Sequence, residues 1–303
     1  MSLIFWGTPE IAVPTLKALA AKKLISAVVT RPDAPAGRGK KINSSLIKQL
    51  AAELALPILT PIKLDEGFIT ELKKFLPATF LIFAYGKIIP PAILDLSEQP
   101  AINVHPSKLP ELRGASPIQT ALLTGLKQTA VTLMQLDARM DHGPILAQIP
   151  VEINDNDYFA DLYQKAATIS AHMMVDTIPQ YLAGQLKPVE QNHNQATVCK
   201  KINMADGKLD WNEPAETVRN KIRAFTPWPS AYFFWNNKRF QIVKADVADN
   251  SNKKPSGTWW TENNQLFVAC GQDALSITLI KPEGKKEMTG KEFVNGYKIA
   301  GSL

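Results

Sequence analysis

Short apolar runs alternate with amphipathic segments along the first half of the chain. The apolar runs are rich in Ile, Val, Leu and Phe, and apolar residues in the segments between them recur at helical spacing. The predicted strands are Ser2–Trp6, Ser26–Thr30, Ile58–Thr60, Thr79–Ala84 and Ala101–His105, and the predicted helices are Ile11–Lys22, Ser44–Leu54 and Glu66–Phe75. Strands that alternate with helices predict an α/β fold with a mostly parallel sheet that is covered on both faces.

The pattern also predicts two domains joined by a linker. The next elements are a helix at Pro117–Thr124, strands at Ala130–Leu136 and Ile145–Ile153, and a long helix at Asp157–Ala183. These complete a first domain over residues 1–188. Residues 189–206 are polar and weakly periodic, which indicates a linker. We expect a second domain over residues 207–303.

The second domain has a different pattern. A helical stretch at Glu213–Phe225 is followed by short β-like segments that turn residues separate. These segments are Ala231–Trp235, Arg239–Ala245, Gly257–Trp260, Leu266–Cys270 and Leu275–Ile280. Short strands at regular spacing, with little helix, predict a small β-barrel.

The composition is that of a globular protein with a sizeable core, since 45% of the 303 residues are hydrophobic and 20% are charged. No apolar stretch reaches the roughly 18 residues of a membrane span. The first residues lack the basic region and apolar core of a secretory signal. The two cysteines, Cys199 and Cys270, have no metal-ligand spacing and form no disulfide framework. We therefore expect a protein of the reducing cytoplasm that holds no metal.

The net charge of +6 is unevenly distributed. Residues 1–190 carry 18 Lys and Arg against 17 Asp and Glu, whereas residues 191–303 carry 16 against 11. The basic C-terminal part is compatible with a nucleic-acid partner, although scattered surface lysines would give the same count.

The first candidate for chemistry is a pair of polar residues at the end of the fifth predicted strand. Asn103 and His105 are two residues apart, so their side chains project from the same face of the strand. Open α/β sheets bind their ligands at the carboxyl ends of strands. An amide that holds an oxygen, beside an imidazole that stabilises charge or moves a proton, suits chemistry at a carbonyl.

Several signatures of other chemistries are missing. Gly7, Thr8 and Pro9 follow the first strand, but G-x-G-x-x-G is absent, so a tight turn is favoured over a dinucleotide site. The G-x-S-x-G motif of α/β-hydrolases does not occur, and there is no obvious nucleophile. Asp141 lies in a loop between two predicted strands, where it could be an ordinary turn residue. An Asn, a His and an Asp at one edge would resemble an acyl-transfer site whose substrate is the nucleophile.

A compact basic loop follows the second predicted strand. It contains Gly37, Arg38, Gly39, Lys40 and Lys41. The P-loop pattern G-x-x-x-x-G-K-[ST] is not met, because Ile42 stands where Ser or Thr is required. Composition alone favours a solvated loop, and the alternative is a flexible basic finger that binds a polyanion through Arg and Lys.

Longer stretches resemble the folate-dependent formyltransferases. They are N-V-H-P-S-K-L-P-E-L-R-G-A-S-P-I, M-D-H-G-P-I-L-A-Q and the opening F-W-G-T-P-E-I-A-V-P-T-L. Two further stretches, R-P-D-A-P-A-G-R-G-K-K and I-R-A-F-T-P-W-P-S-A, narrow the resemblance to the methionyl-tRNA formyltransferase family. The resemblance extends over essentially the whole chain, in order.

The resemblance implies a Rossmann-like formyltransferase domain followed by a smaller, tRNA-binding OB-like β-barrel. It implies that an amine attacks the formyl carbon directly. The formyl group of 10-formyltetrahydrofolate would pass to the α-amine of methionyl initiator tRNA, for translation initiation and without a metal. We expect a cytoplasmic monomer.

The resemblance also implies roles for individual residues. The catalytic residues would be Asn103, His105 and Asp141. Folate would be contacted by Ser107, Lys108, Leu109 and Pro110, and the tRNA acceptor stem by Arg38, Lys40 and Lys41. Two residues depart from the family pattern, since Lys108 stands where Leu is usual and Trp6 where a small residue is common.

The same three catalytic residues would serve other reactions. A formyltransferase for a small amine, such as a sugar or a ribonucleotide, and a folate hydrolase are alternatives. The basic loop and the basic C-terminal part favour tRNA over a small amine. A Rossmann oxidoreductase is disfavoured by the missing Gly-rich motif, and a non-catalytic RNA-binding module would leave Asn103, His105 and Asp141 unexplained.

Overall fold

The computed structural model describes residues 2–36, 41–297 and 301–302. The chain divides into two compact units, each built from several segments. Unit 1 comprises Met1–Gly114, Gln128–Glu152 and Tyr163–Val198, and unit 2 comprises Ala115–Lys127, Ile153–Leu162 and Cys199–Leu303. The domain boundaries at residues 188 and 207 stay predictions, and residues 189–198 fold with unit 1.

The elements up to residue 182 follow the predicted alternation of strands and helices. The strands are β1 (Leu3–Gly7), β2 (Ile25–Val29), β3 (Ala34–Ala36), β4 (Lys41–Asn43), β5 (Ile58–Leu59), β6 (Thr79–Phe83), β7 (Ile102–His105), β8 (Arg113–Gly114), β9 (Gln128–Gln135) and β10 (Ile145–Glu152). The helices are α1 (Val13–Ala21), α2 (Leu46–Glu53), α3 (Glu66–Leu72), α4 (Pro91–Leu94), α5 (Pro117–Leu123) and α6 (Phe159–Leu182). The β3–β4 hairpin and α4 were not predicted, because segments of three or four residues are too short to show a period.

The sheet of unit 1 has the strand order β10-β9-β7-β6-β1-β2-β5. The five strands from β7 to β5 are parallel to one another, whereas β9 pairs in antiparallel fashion with both β7 and β10. Every residue of the central strands β1 and β6 is buried, as expected for strands with both faces covered. One face packs a core that includes Ile4, Trp6, Phe80 and Ile82.

Local signals fix where two of the helices begin. Ser45 precedes α2, and its hydroxyl accepts a hydrogen bond from the backbone N–H of Lys48 at 3.1 Å. Asp65 precedes α3, and its carboxylate accepts from the N–H of Phe68 at 3.2 Å. Each side chain satisfies a donor of the first helical turn that has no partner inside the helix.

The later elements include an antiparallel sheet. They are β11 (Val198–Cys199), α7 (Ala215–Phe225), β12 (Ala231–Trp235), β13 (Lys238–Ala248), β14 (Thr258–Glu262), β15 (Gln265–Ala269), β16 (Ala274–Pro282), β17 (Met288–Thr289), α8 (Gly290–Gly296) and β18 (Gly301–Ser302). The sheet has the order β12-β13-β16-β15-β14-β18, and β17 also pairs with β16. The fold-class prediction, a mostly parallel α/β domain followed by a smaller β domain, is therefore confirmed.

The interior of unit 2 is rich in aromatic side chains. Trp211, Phe233, Phe240, Trp259 and Phe293 belong to one buried cluster. Phe233 and Trp259 lie 5.0 Å apart between ring centroids, within the range of favourable aromatic pairs. The aromatic run at residues 233–235 thus contributes to the core through Phe233, whereas Phe234 is 53% exposed.

Both cysteines are buried, and neither forms a disulfide. Burial, and then the nearby charge of Asp273, raises the pKa of the Cys270 thiol to about 12. Within the described ranges, the helices are all too short or too polar to cross a membrane.

Candidate active site

The predicted polar pair lies on β7. Asn103 is the second residue of that strand and His105 is its last. Asn103 is half-buried, and its amide has no hydrogen-bonding partner among the described residues, so both its donor and its acceptor are available. Because Asn103 pairs with Ile82 and Ile82 with Trp6, these three residues form one row across β7, β6 and β1.

His105 is held through one ring nitrogen. Its side chain is buried, and Nε2 lies 3.0 Å from the backbone oxygen of Leu112. A carbonyl oxygen can only accept, so Nε2 must carry a proton and donate it. Nδ1 lies 3.6 Å from Oδ1 of Asp141, which is longer than a hydrogen bond. The tautomer is thus set by Leu112, and Nδ1 is the nitrogen left for chemistry.

Asp141 is held in an unusual conformation beside His105. Its φ is 51°, in the left-handed region that costs energy for a residue with a Cβ. Its Oδ2 accepts a hydrogen bond from the backbone N–H of Gly114 at 2.8 Å, which leaves Oδ1 toward His105. Two residues later, a Cβ built on Gly143 would collide with the backbone oxygen of Gln135, so this turn has room only for glycine.

The structure thus brings His105 and Asp141 together, with Asn103 on the same strand as His105. An amide with free hydrogen-bonding groups, an imidazole of fixed tautomer and a held carboxylate can bind a carbonyl oxygen and move a proton. Among the described residues, no group of three or more His, Cys, Asp or Glu is arranged to bind a metal ion.

The segment predicted to contact folate follows β7 directly. Ser107 is fully buried, and its hydroxyl donates to the oxygen of Glu111 at 2.7 Å. Leu109 is also buried, and its oxygen accepts from the Gln148 amide at 3.1 Å. Lys108 is exposed. The departure at Lys108 therefore places a charge in solvent and leaves the packing of this segment intact.

The residues predicted to contact tRNA fall largely outside the described residues. This holds for Arg38 and Lys40, while Lys41 begins β4 and only its backbone is described. β3 and β4 pair in antiparallel fashion, with Ala36 opposite Lys41. The two strands therefore bracket the stretch that contains Arg38 and Lys40.

Trp6 fills the core on the same sheet face as Asn103. It is fully buried and contacts Phe68 and Tyr85 edge-on, at centroid distances of 5.7 and 5.3 Å. Its Nε1 is buried and has no hydrogen-bonding partner in the part of the chain that the structure describes. The bulk of Trp6 is thus accommodated by neighbouring aromatic rings.

Two buried residues beside Asp141 were not among the predicted site residues. The Gln191 amide nitrogen donates to the backbone oxygens of Asp141 at 3.0 Å and of Gly143 at 2.7 Å. Its amide oxygen accepts from Nε and Nη2 of Arg113, at 3.1 and 2.6 Å. Arg113 belongs to a motif that resembles the formyltransferases, whereas Gln191 lies in the predicted linker, where no local signal marked it.

Two histidines stack next to this network. The rings of His142 and His193 are 3.9 Å apart and nearly parallel. His142 Nδ1 lies 2.6 Å from the Asp137 carboxylate, and Arg113 Nη2 lies 2.9 Å from His193 Nδ1. Lost hydration, followed by the nearby charges of His142 and Arg113, lowers the pKa of His193. Because arginine has only donors, Nδ1 of His193 is the acceptor in its hydrogen bond with Arg113.

Family models match both parts of the chain. The model described as "Formyl transferase" matches residues 1–178. The model described as "Formyl transferase, C-terminal domain" matches residues 201–298. Together they cover most of the chain, in the order expected from the sequence.

Curated relatives are similar over almost their whole length. The methionyl-tRNA formyltransferase of Thermodesulfovibrio yellowstonii is 42% identical over 299 residues, covering 98% of this chain and 96% of that protein. The methionyl-tRNA formyltransferase of Methylococcus capsulatus is 39% identical over 303 residues, covering 99% and 98%.

Solved structures share the fold. An N-formyltransferase from Helicobacter canadensis, in complex with folinic acid and dTDP-3-aminofucose, has a TM-score of 0.69 at 19% identity and covers 91% of this chain and 98% of that one. Methionyl-tRNA formyltransferase from Clostridium thermocellum has a TM-score of 0.58 at 20% identity, covering 84% and 95%. At such identities the similarity supports the fold, and the relatives at about 40% carry the finer assignment.

Proposed function

We propose that this chain, which belongs to the methionyl-tRNA formyltransferase family, transfers a formyl group from 10-formyltetrahydrofolate to the α-amine of methionyl initiator tRNA. The observation that carries this proposal is the placement of His105 and Asp141, 3.6 Å apart, beside the free amide of Asn103. Such a site acts on a carbonyl but provides no nucleophile of its own, so the incoming amine is the nucleophile.

The reaction exchanges one C–N bond for another. The amine nitrogen attacks the formyl carbon, the bond from that carbon to N10 of the folate breaks, and the amine proton ends on N10. Asn103 donates to the formyl oxygen through its amide N–H. Asp141 accepts the amine proton, directly or through water, on the oxygen that Gly114 does not occupy.

His105 stabilises the negative charge that develops on the formyl oxygen. Because Nε2 donates to Leu112, the hydrogen bond to the substrate comes from Nδ1. When it donates to the formyl oxygen, Nδ1 carries a proton as well as Nε2, and the Asp141 carboxylate lies 3.6 Å from it. Asp141 therefore has two functions in this proposal, as proton acceptor and as the group that orients His105.

The remaining assignments complete the proposal. Residues 1–188 would carry the chemistry, with Ser107, Lys108, Leu109 and Pro110 along the folate. Arg38, Lys40 and Lys41 would contact the acceptor stem, and residues 207–303 would bind tRNA through their basic surface. We place the protein in the cytoplasm as a monomer, where translation is initiated.

A formylation assay tests this function. The purified full-length chain is given 10-formyltetrahydrofolate and, in separate reactions, methionyl initiator tRNA, methionyl elongator tRNA, free methionine and an amino sugar. We expect formylation of the initiator tRNA at the highest kcat/KM. Asp141→Asn, which keeps the side-chain shape and removes the base, serves as the impaired control, with kcat lowered about 10²–10⁴-fold.

Each other outcome contradicts a particular part of the proposal. Preference for the amino sugar or free methionine would point to a small-amine formyltransferase. Release of formate at equal rates with and without an acceptor would point to a folate hydrolase. Equal rates with both tRNAs would leave the chemistry intact and overturn the initiator assignment.

A further inference from the structure

We infer that the segment Val189–Thr197, here called the strap, is a positioning element of the active site. It holds the two groups that flank His105, which are the backbone oxygen of Leu112 and the side chain of Asp141. This inference rests on the proposed function, because it deepens the account of the same site. Its residues lie in the polar stretch whose sequence predicts a linker, and in the structure they fold with unit 1.

The two groups that flank His105 are both on residues with strained backbones. Nε2 of His105 donates to the oxygen of Leu112, whose φ is 57°. Nδ1 faces Asp141, whose φ is 51°. Residues with a Cβ adopt such angles only where surrounding contacts compensate for the cost. The positions of these two residues therefore depend on what holds their loops.

The strap holds the Asp141 loop through Gln191. This side chain is 5% exposed, and all four of its hydrogen-bonding positions are used. Its two N–H groups donate to the oxygens of Asp141 and Gly143, while its oxygen accepts twice from Arg113. A fully satisfied buried amide has one orientation, so Gln191 specifies where the Asp141 backbone lies.

The strap holds the Leu112 loop through Thr197. The Thr197 hydroxyl accepts from the N–H of Leu112 at 2.9 Å, and the Thr197 backbone oxygen accepts from the N–H of Arg113 at 2.9 Å. At the other end, Val189 exchanges two backbone hydrogen bonds of 2.8 Å with Ile145, just after the Asp141 loop. One segment of nine residues therefore contacts both loops around His105.

Gln191→Glu gives a specific test. The glutamate carboxylate is nearly isosteric with the Gln191 amide and still accepts from Arg113. Its second oxygen, however, replaces the amide nitrogen with its two N–H donors and would face the backbone oxygens of Asp141 and Gly143. We expect kcat to fall about 100-fold, a loss that a 1 Å misplacement in an active site can cause, with KM for the folate changed less than threefold. The matched control is Gln195→Glu, the same change on the same strap at an exposed side chain. It should keep the wild-type kcat.

A double-mutant cycle separates positioning from general damage. If Gln191 acts through Asp141, Gln191→Glu should cost less than threefold once Asp141→Asn is present. A merely structural role would give the full loss in both backgrounds. A second cycle, of Thr197→Val with His105→Gln, tests the Leu112 loop in the same way. If Gln191→Glu does not fold, this second cycle decides whether the strap positions the groups around His105.

A measurement without substrate makes the test independent of the proposed function. In amide hydrogen exchange, Gln191→Glu should speed exchange in residues 136–146 at least tenfold, while Gln195→Glu leaves those residues unchanged. A wild-type protein that formylates no amine would contradict the proposed function alone. Unchanged exchange in residues 136–146, or additive losses of kcat in both cycles, would overturn the inference that the strap positions these groups.

Discussion

Replacing His105 separates the contribution of this residue to catalysis from its contribution to folding. In His105→Ala, the site loses the donor for the charge that develops on the formyl oxygen. Removal of one such donor typically lowers kcat by about 10²–10³-fold, or roughly 2.7–4 kcal/mol. The same truncation removes one partner of the buried hydrogen bond to Leu112, which typically costs about 1–3 kcal/mol of stability. A domain with 5–15 kcal/mol of stability stays folded after such a loss.

His105→Gln provides the matched control for this expectation. A Gln amide can still donate to the Leu112 oxygen, so the variant should unfold close to the wild-type urea midpoint. It has no ring nitrogen at the position of Nδ1, so its kcat should fall nearly as far as that of His105→Ala. The assay is single-turnover formylation of methionyl initiator tRNA under saturating folate, alongside urea unfolding. Near-normal turnover in either variant would refute the assignment of His105.

Two further predictions concern charge. Arg38→Ala should weaken tRNA binding and lower the slope of log Kd against log salt by about one, because the loss of one phosphate contact releases fewer counterions. A slope equal to that of the wild type between about 50 and 200 mM salt would contradict a contact between Arg38 and tRNA. The pKa of His193 is lower in the folded chain than its ordinary value of about 6.5. The unfolded chain therefore binds more protons than the folded chain as pH falls through about 6.5, and the free energy of unfolding decreases over that range. His193→Asn, which keeps an acceptor for Arg113 without titrating, should lose less stability than wild type between pH 7.5 and 5.5 in urea unfolding. Equal losses in the two proteins would exclude His193 as the cause.

Much of the fold was predictable because its signals are local. The strands and helices of the first half have clear periods, and the structure places β1, β2, β6 and β7 within one or two residues of the predicted ranges. Asn103 and His105 were predictable as a pair, since a spacing of two puts both side chains on one strand face. Asp141 had no such signal. Its loop is separated from β7 by more than thirty residues, and only the family resemblance joined the two.

The sequence alone determined the element order, the polar pair on β7 and, through resemblance, the reaction. The tertiary structure decided which nitrogen of His105 is free, which oxygen of Asp141 is occupied, and that residues 189–197 hold both loops rather than only linking two domains. Gln191 and Arg113 are 78 positions apart, and each has an ordinary polar side chain in its own segment. A buried hydrogen bond between them exists only once folding brings both ends together, so no local pattern could have indicated it.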